Sequence, residues 1–143
     1  MSSRRRLRIL IAAPAPVVRE LDAALGDELV EVMGAESWDD ALRRVEEEPD
    51  LLLLCYAFDE VRPFRFLQYL QQSPRRRHMP TVLVRALPVP LGKTQEEDIR
   101  QSYMALGVDD FFNLYDEGTR HGRERALQML RVKVTSRLPF VSS

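Results

Sequence analysis

Short apolar runs alternate along this chain with stretches whose apolar residues recur every three or four positions. Leu7 to Ala12 (LRILIA) reads as a strand. Behind it Val17, Val18, Leu21 and Leu25 repeat at helical spacing, Pro16 suits a first helical turn, and Gly26 is placed to end the helix. Leu29 to Met33 predicts a second strand. Ser37 is an N-cap residue for a helix carrying Trp38, Ala41, Leu42 and Val45, which must end before Pro49. Four consecutive leucines, Leu51 to Leu54, enclosed by Pro49-Asp50 and by the mixed segment after Cys55, fit a strand buried on both faces. Pro63 opens a helix with Phe64, Leu67 and Leu70 on one face. Thr81 to Arg85 is a fourth strand, followed by a proline-containing loop from Ala86 to Thr94. A helix then turns Ile99, Tyr103 and Leu106 inward and stops at Gly107. Asp109 to Asn113 is a fifth strand, and about Thr119 to Leu138 predicts one long last helix.

Five strands alternating with five helices imply parallel pairing through right-handed crossovers. The expected fold is α/β: a flavodoxin-like (βα)5 doubly wound sheet of order 2-1-3-4-5. No repeat, low-complexity tract or long linker divides the chain, so its 143 residues are expected to form one domain with a core from about 7 to 138.

Composition narrows the classes. A hydrophobic share of 45% with 30% charged residues belongs to a globular protein, and no apolar stretch reaches membrane-span length. The net charge of −1 offers no global field for nucleic acid or anionic membrane. The single cysteine excludes an internal disulfide and suits a reducing cytoplasm. The basic start, Arg4-Arg5-Arg6, is followed by an apolar run too short for a signal peptide.

Three segments carry a family resemblance. Ile9-Leu10-Ile11-Ala12 with the proline-led Pro16-Val17-Val18-Arg19-Glu20-Leu21, the run Pro49-Asp50-Leu51-Leu52-Leu53-Leu54, and Ala105-Leu106-Gly107-Val108-Asp109-Asp110-Phe111 resemble the first, third and fifth strand regions of bacterial response-regulator receiver domains. That family holds magnesium with two acidic residues after the first strand and accepts a phosphoryl group on an aspartate ending the third. A Ser or Thr after the fourth strand and a Lys after the fifth bind the phosphate oxygens.

The resemblance places the acidic pair at Ala13 and Pro14, the acceptor at Cys55, the hydroxyl at Arg85 and the lysine at Leu114. None of the five groups is kept. Magnesium requires oxygen ligands, and a thiolate is a soft one. No acidic residue lies between Met1 and Arg19, so a shift in alignment would not restore the site. The resemblance therefore implies a degenerate receiver with no catalysis, no metal and no cofactor.

Other chemistry competes with plain structural roles. A thiol site would need Arg85 to lower the Cys55 pKa across the pocket; the competing role for Cys55 is a small buried apolar residue at a strand end. Asp59 and Glu60 form a lone acidic pair, with Asp59 a partner for Arg85 or Arg62. Arg75-Arg76-Arg77 with His78 is a charged loop rather than a nucleic-acid site, and His78 and His121 lack ligand spacing. Gly92-Lys93-Thr94 lacks the upstream glycine of a phosphate-binding loop.

The expected function is a phosphorylation-independent protein–protein interaction module in bacterial signal transduction. Its contact surface is predicted through Ile99, Tyr103, Phe111, Leu127, Leu130 and Val134, with a homodimer through the fourth helix, fifth strand and last helix. The competing expectation is a small-ligand or redox sensor using the pocket around Cys55 and Arg85.

Overall fold

The structure, a computed structural model, describes residues 6–56, 63–72, 79–86 and 93–138, without the side chains of residues 63 and 93–96. Arg4, Arg5, Asp59, Glu60, Arg62, the Arg75-to-His78 cluster and most of the proline loop lie outside the described residues.

The elements run β1 (Leu7–Ala12), α1 (Ala15–Leu25), β2 (Val30–Ala35), α2 (Trp38–Val45), β3 (Leu51–Cys55), α3 (Pro63–Gln71), β4 (Thr81–Arg85), α4 (Lys93–Ala105), β5 (Asp110–Asn113), α5 (Leu114–His121) and α6 (Arg123–Thr135). The strands pair in parallel in the order β2-β1-β3-β4-β5, as the alternating pattern predicts. This is the flavodoxin-like doubly wound arrangement.

The central strand explains why four leucines follow one another. Leu51, Leu53 and Cys55 enter one apolar layer, and Leu52 and Leu54 enter the other. All five are fully buried. Each leucine removed from water contributes roughly 2 kcal/mol of transfer free energy. The first layer packs β1, β3 and β4 against Val17, Leu21 and Leu25 of α1 and Ala126, Leu130 and Val134 of α6. The second packs the other face against Ala41 and Val45 of α2, Phe66, Leu67 and Leu70 of α3, and Tyr103 of α4.

Local chemistry sets the boundaries. Ser37 caps α2 by accepting the Asp40 amide at 3.2 Å, and Asp39 and Asp40 suit the positive end of that helix. Gly107 ends the α4 region at φ +92, a left-handed conformation that glycine adopts without a Cβ penalty. Gly34 is required by packing, since a Cβ there would stand 2.5 Å from Val18 Cγ1.

Two expectations are corrected. The second strand starts at Val30, not Leu29, because the Asp27 carboxylate accepts the Leu29 and Val30 amides at 2.7 and 2.9 Å and forms a turn there. Leu29 is left 72% exposed. Gly26 ends α1 as expected, in extended conformation (φ −73, ψ 139).

The long last helix is two helices. Helical structure begins at Leu114, where the Asn113 side chain accepts the Asp116 amide at 2.8 Å, and breaks at Gly122 with φ 93 and ψ 150. A run of apolar residues at helical spacing does not register a single-residue break of this kind. Gly122 was its one sequence signal.

Candidate functional site

In doubly wound sheets, functional groups gather where the strands end at their carboxyl termini. Here Ala13 and Pro14 follow β1, Cys55 ends β3, Arg85 ends β4 and Leu114 follows β5. Register brings these ends together: Leu54 lies opposite Ala12, Cys55 opposite Val84, and Arg85 opposite Asn113.

The pleat then divides them. Ala13, Cys55, Ala86 and Leu114 all enter the layer that packs on α1 and α6, and Ala13, Cys55 and Leu114 are fully buried there. Arg85 stands two residues beyond Leu83, which belongs to the opposite layer, so its side chain leaves the sheet on the other face. The expectation of one pocket walled by Cys55 and Arg85 is thereby corrected. Cys55 is closed within an apolar cluster, and Arg85 is itself buried, at 8% exposure.

The residues at these positions do not fit magnesium. Ala13 contributes only a methyl group, and Pro14 caps α1 by accepting the Val17 and Val18 amides, both at 3.0 Å, on its backbone carbonyl. Among the described residues no group of three or more His, Cys, Asp and Glu side chains is placed to hold a metal ion. Leu114 fills apolar space and offers no group that could bind an anion.

The predicted contact residues are mostly interior. Leu130 and Val134 are fully buried against the sheet, and Tyr103 and Phe111 are 7% and 8% exposed. Ile99 and Leu127 are half-buried against the two layers. An amphipathic helix spends its main apolar stripe on its own core. Leu130, Val134, Tyr103 and Phe111 are thereby removed as exposed contact groups.

Other residues occupy the outside of α4, β5 and α6. Lys133 reaches Asp110 at 3.0 Å and Arg137 reaches it at 3.5 Å, stitching α6 to the edge strand. Burial raises the Asp110 pKa, but the Lys133 hydrogen bond, the Phe111 amide and the two cations outweigh it and hold the carboxyl below its ordinary range. Arg100 covers the Phe111 ring at 5.2 Å, and Met104 is 46% exposed. Sequence reasoning missed this set. The four-residue spacing of Lys133 at the end of α6 and Arg137 in the turn after it was the available signal.

Tyr103 is the most perturbed group nearby. Burial pushes its phenol up to about 12, against the lowering effect of the Phe64 amide that donates to it.

On the opposite flank, a groove of about 340 Å³ runs between α1 and α6, floored by Ala23, Ala24 and Leu127. Ion pairs bracket it: Arg123 holds Glu20 through two bonds of 2.7 and 2.5 Å, and Arg131 pairs with Asp27.

No protein-family model and no curated protein matches the chain. Solved structures do match. The chemotaxis response regulator CheY4 of Vibrio cholerae is 14% identical with a TM-score of 0.67, over 91% of this chain and 99% of that one. The phosphorylated cyanobacterial phytochrome response regulator RcpA is 18% identical with a TM-score of 0.67, over 89% and 90%. The receiver domain of a signal-transduction histidine kinase from Syntrophus aciditrophicus is 20% identical with a TM-score of 0.59, over 95% and 97%. At these identities the likeness establishes the fold: the chain has the architecture of response-regulator receiver domains. Among the described residues no helix is long and apolar enough to cross a membrane.

Proposed function

We propose that the chain acts in signal transduction as a receiver-fold binding module that takes up no phosphoryl group. Its output is contact with a protein partner rather than catalysis. The observation that carries this reading is the closed apolar cluster at the strand ends, where Ala13, Cys55 and Leu114 are fully buried together. Phosphoryl transfer needs a reachable acceptor and cations on the phosphate oxygens, and these positions supply neither.

Contact runs through the outer face of α4, β5 and α6, with Arg100, Met104, Lys133 and Arg137 as its accessible groups, and the same face supports a homodimer. Incubation with acetyl phosphate and magnesium followed by intact-mass measurement is expected to show no phosphoryl adduct; a stoichiometric adduct would overturn the reading. In the dimer arm, light scattering over a concentration series is expected to show association that Arg100→Glu with Arg137→Glu abolishes.

A further inference from the structure

Three rings and a guanidinium form a chain of contacts where α4 meets the sheet, and the α4 backbone closes it into a cycle. Arg100 lies over Phe111, 5.2 Å from the ring centroid. Phe111 meets Tyr56 edge-on at 6.4 Å and 82°, and Tyr56 meets Tyr103 at 5.9 Å and 43°. Tyr103 stands three residues after Arg100 on α4 and so shares its side of the helix. α4 therefore grips the Tyr56–Phe111 pair from two successive turns.

A branch leaves the cycle at Tyr103. Its ring meets Phe64, in the first turn of α3, at 5.5 Å and 79°. One connected set of contacts thus joins the end of β3, the edge strand β5, the start of α3 and the middle of α4.

Among the described side chains of α4 few others reach the sheet. Between residues 97 and 105 only Ile99 and Tyr103 turn toward the apolar layer, while Glu97, Asp98, Gln101, Ser102, Met104 and Ala105 are exposed. A helix attached by so few side chains would be the element free to shift, unless those contacts are mutually dependent. A closed cycle makes them so. Turning Phe111 outward would break its contacts with both Tyr56 and Arg100.

We infer that this cycle locks α4 against β5 in a single arrangement, making the α4–β5 face a permanently set binding surface rather than one selected from two conformations. A switching element needs two packings close in free energy, and the cycle removes the second. The inference rests on the proposed function for the role of the surface, whereas the locking itself does not.

The test is NMR relaxation dispersion and amide exchange on the full chain. The α4 amides from 97 to 105 are expected to show flat dispersion profiles, meaning no exchange on the microsecond-to-millisecond scale. Phe111→Leu, which removes the ring but keeps an apolar side chain, is expected to speed α4 amide exchange about tenfold. The surface change Arg100→Gln and the hydroxyl deletion Tyr103→Phe are expected to do so by smaller factors, with β1 and β3 amides unchanged in all three.

Millisecond exchange in wild-type α4 overturns the inference. So does α4 protection unaltered by all three substitutions. The acetyl phosphate experiment separates the two claims: a labelled protein with a rigid α4 sinks the proposed function alone, and an unlabelled protein with a mobile α4 sinks the lock alone.

Discussion

Asp109 and Thr81 hold each other by two hydrogen bonds running in opposite directions. The Asp109 carboxylate accepts the Thr81 amide at 2.8 Å, and the Asp109 amide donates to the Thr81 carbonyl at 2.8 Å. Asp50 treats Arg8 the same way, accepting its amide at 2.8 Å and donating to its carbonyl at 2.8 Å. Each aspartate stands just before its strand, β5 or β3, and satisfies both backbone groups of a residue on the neighbouring strand. The clamp sets the parallel register, and it gives the Pro49-Asp50 and Asp109-Asp110 motifs a physical role. Removing the acceptor strands a partly buried amide, so Asp109→Ala is expected to cost about 1–2 kcal/mol, and Asp109→Asn, which keeps a carbonyl oxygen, less. Urea denaturation of the two variants checks the difference; equal losses would remove the clamp as the cause.

Acid should unfold the protein through three carboxylates. The Arg123 hydrogen bond holds Glu20 below its ordinary pKa. The Leu29 amide, with Val30 and Arg131, lowers Asp27, and Asp110 is lowered on balance as well. Groups with depressed folded pKa values stabilise fully above their unfolded values and lose that contribution as pH falls through the folded ones. The melting temperature should therefore be nearly constant from pH 7 to about 5 and fall below about pH 4. All three pairs are partly solvated, so each contribution is modest and weakened by salt. Glu20→Gln with Asp27→Asn and Asp110→Asn should lower the neutral melting temperature and flatten the acid limb. An equally steep acid limb in that variant would point to other groups.

Two glycines of the last segment should respond in opposite directions to alanine. Gly122 joins α5 to α6 at φ 93 and ψ 150, and a Cβ added there would meet nothing within 4 Å, so the penalty is purely backbone strain. Gly122→Ala is expected to destabilise by about 1–3 kcal/mol. Gly118 lies inside α5, where an added Cβ would meet Arg123 Cδ at an ordinary 3.6 Å. Gly118→Ala should stabilise by about 0.5–1 kcal/mol. Thermal melts of the two single variants decide the matter, and a neutral Gly122→Ala would mean that the α5–α6 junction is not confined to this conformation.

An aspartate placed at the third-strand end should not act as a phosphoryl acceptor. Cys55 is fully buried among apolar side chains, so Cys55→Asp would bury a carboxyl there and keep it protonated. A loss of several kcal/mol is expected, with no phosphoryl uptake from acetyl phosphate, because Ala13 and Pro14 still supply no side-chain oxygen for a metal. In the wild type the same burial predicts that alkylating reagents modify Cys55 slowly until the protein is unfolded. Rapid alkylation of the native protein would show the cluster to be open.

The sequence by itself determined the strand number, their parallel order and the absence of side-chain oxygens at Ala13 and Pro14 after the first strand. Strand and helix periodicities are local, right-handed crossovers leave few ways to order five strands, and a methyl group is no metal ligand in any fold. The outward-facing chemistry was not legible. Leu127, Met129, Leu130, Val132 and Val134 give α6 apolar residues on several sides, and only docking on the sheet buries Leu130 and Val134 while leaving Val132 69% exposed. Arg100 and Tyr103 share a face of α4 by their spacing, but Tyr56 and Phe111 come from distant stretches of the chain, and no sequence spacing brings those rings to α4. Tertiary structure alone decided which side of the sheet Cys55 and Arg85 occupy and which rings close around α4, because those relations depend on register and packing between segments distant along the chain.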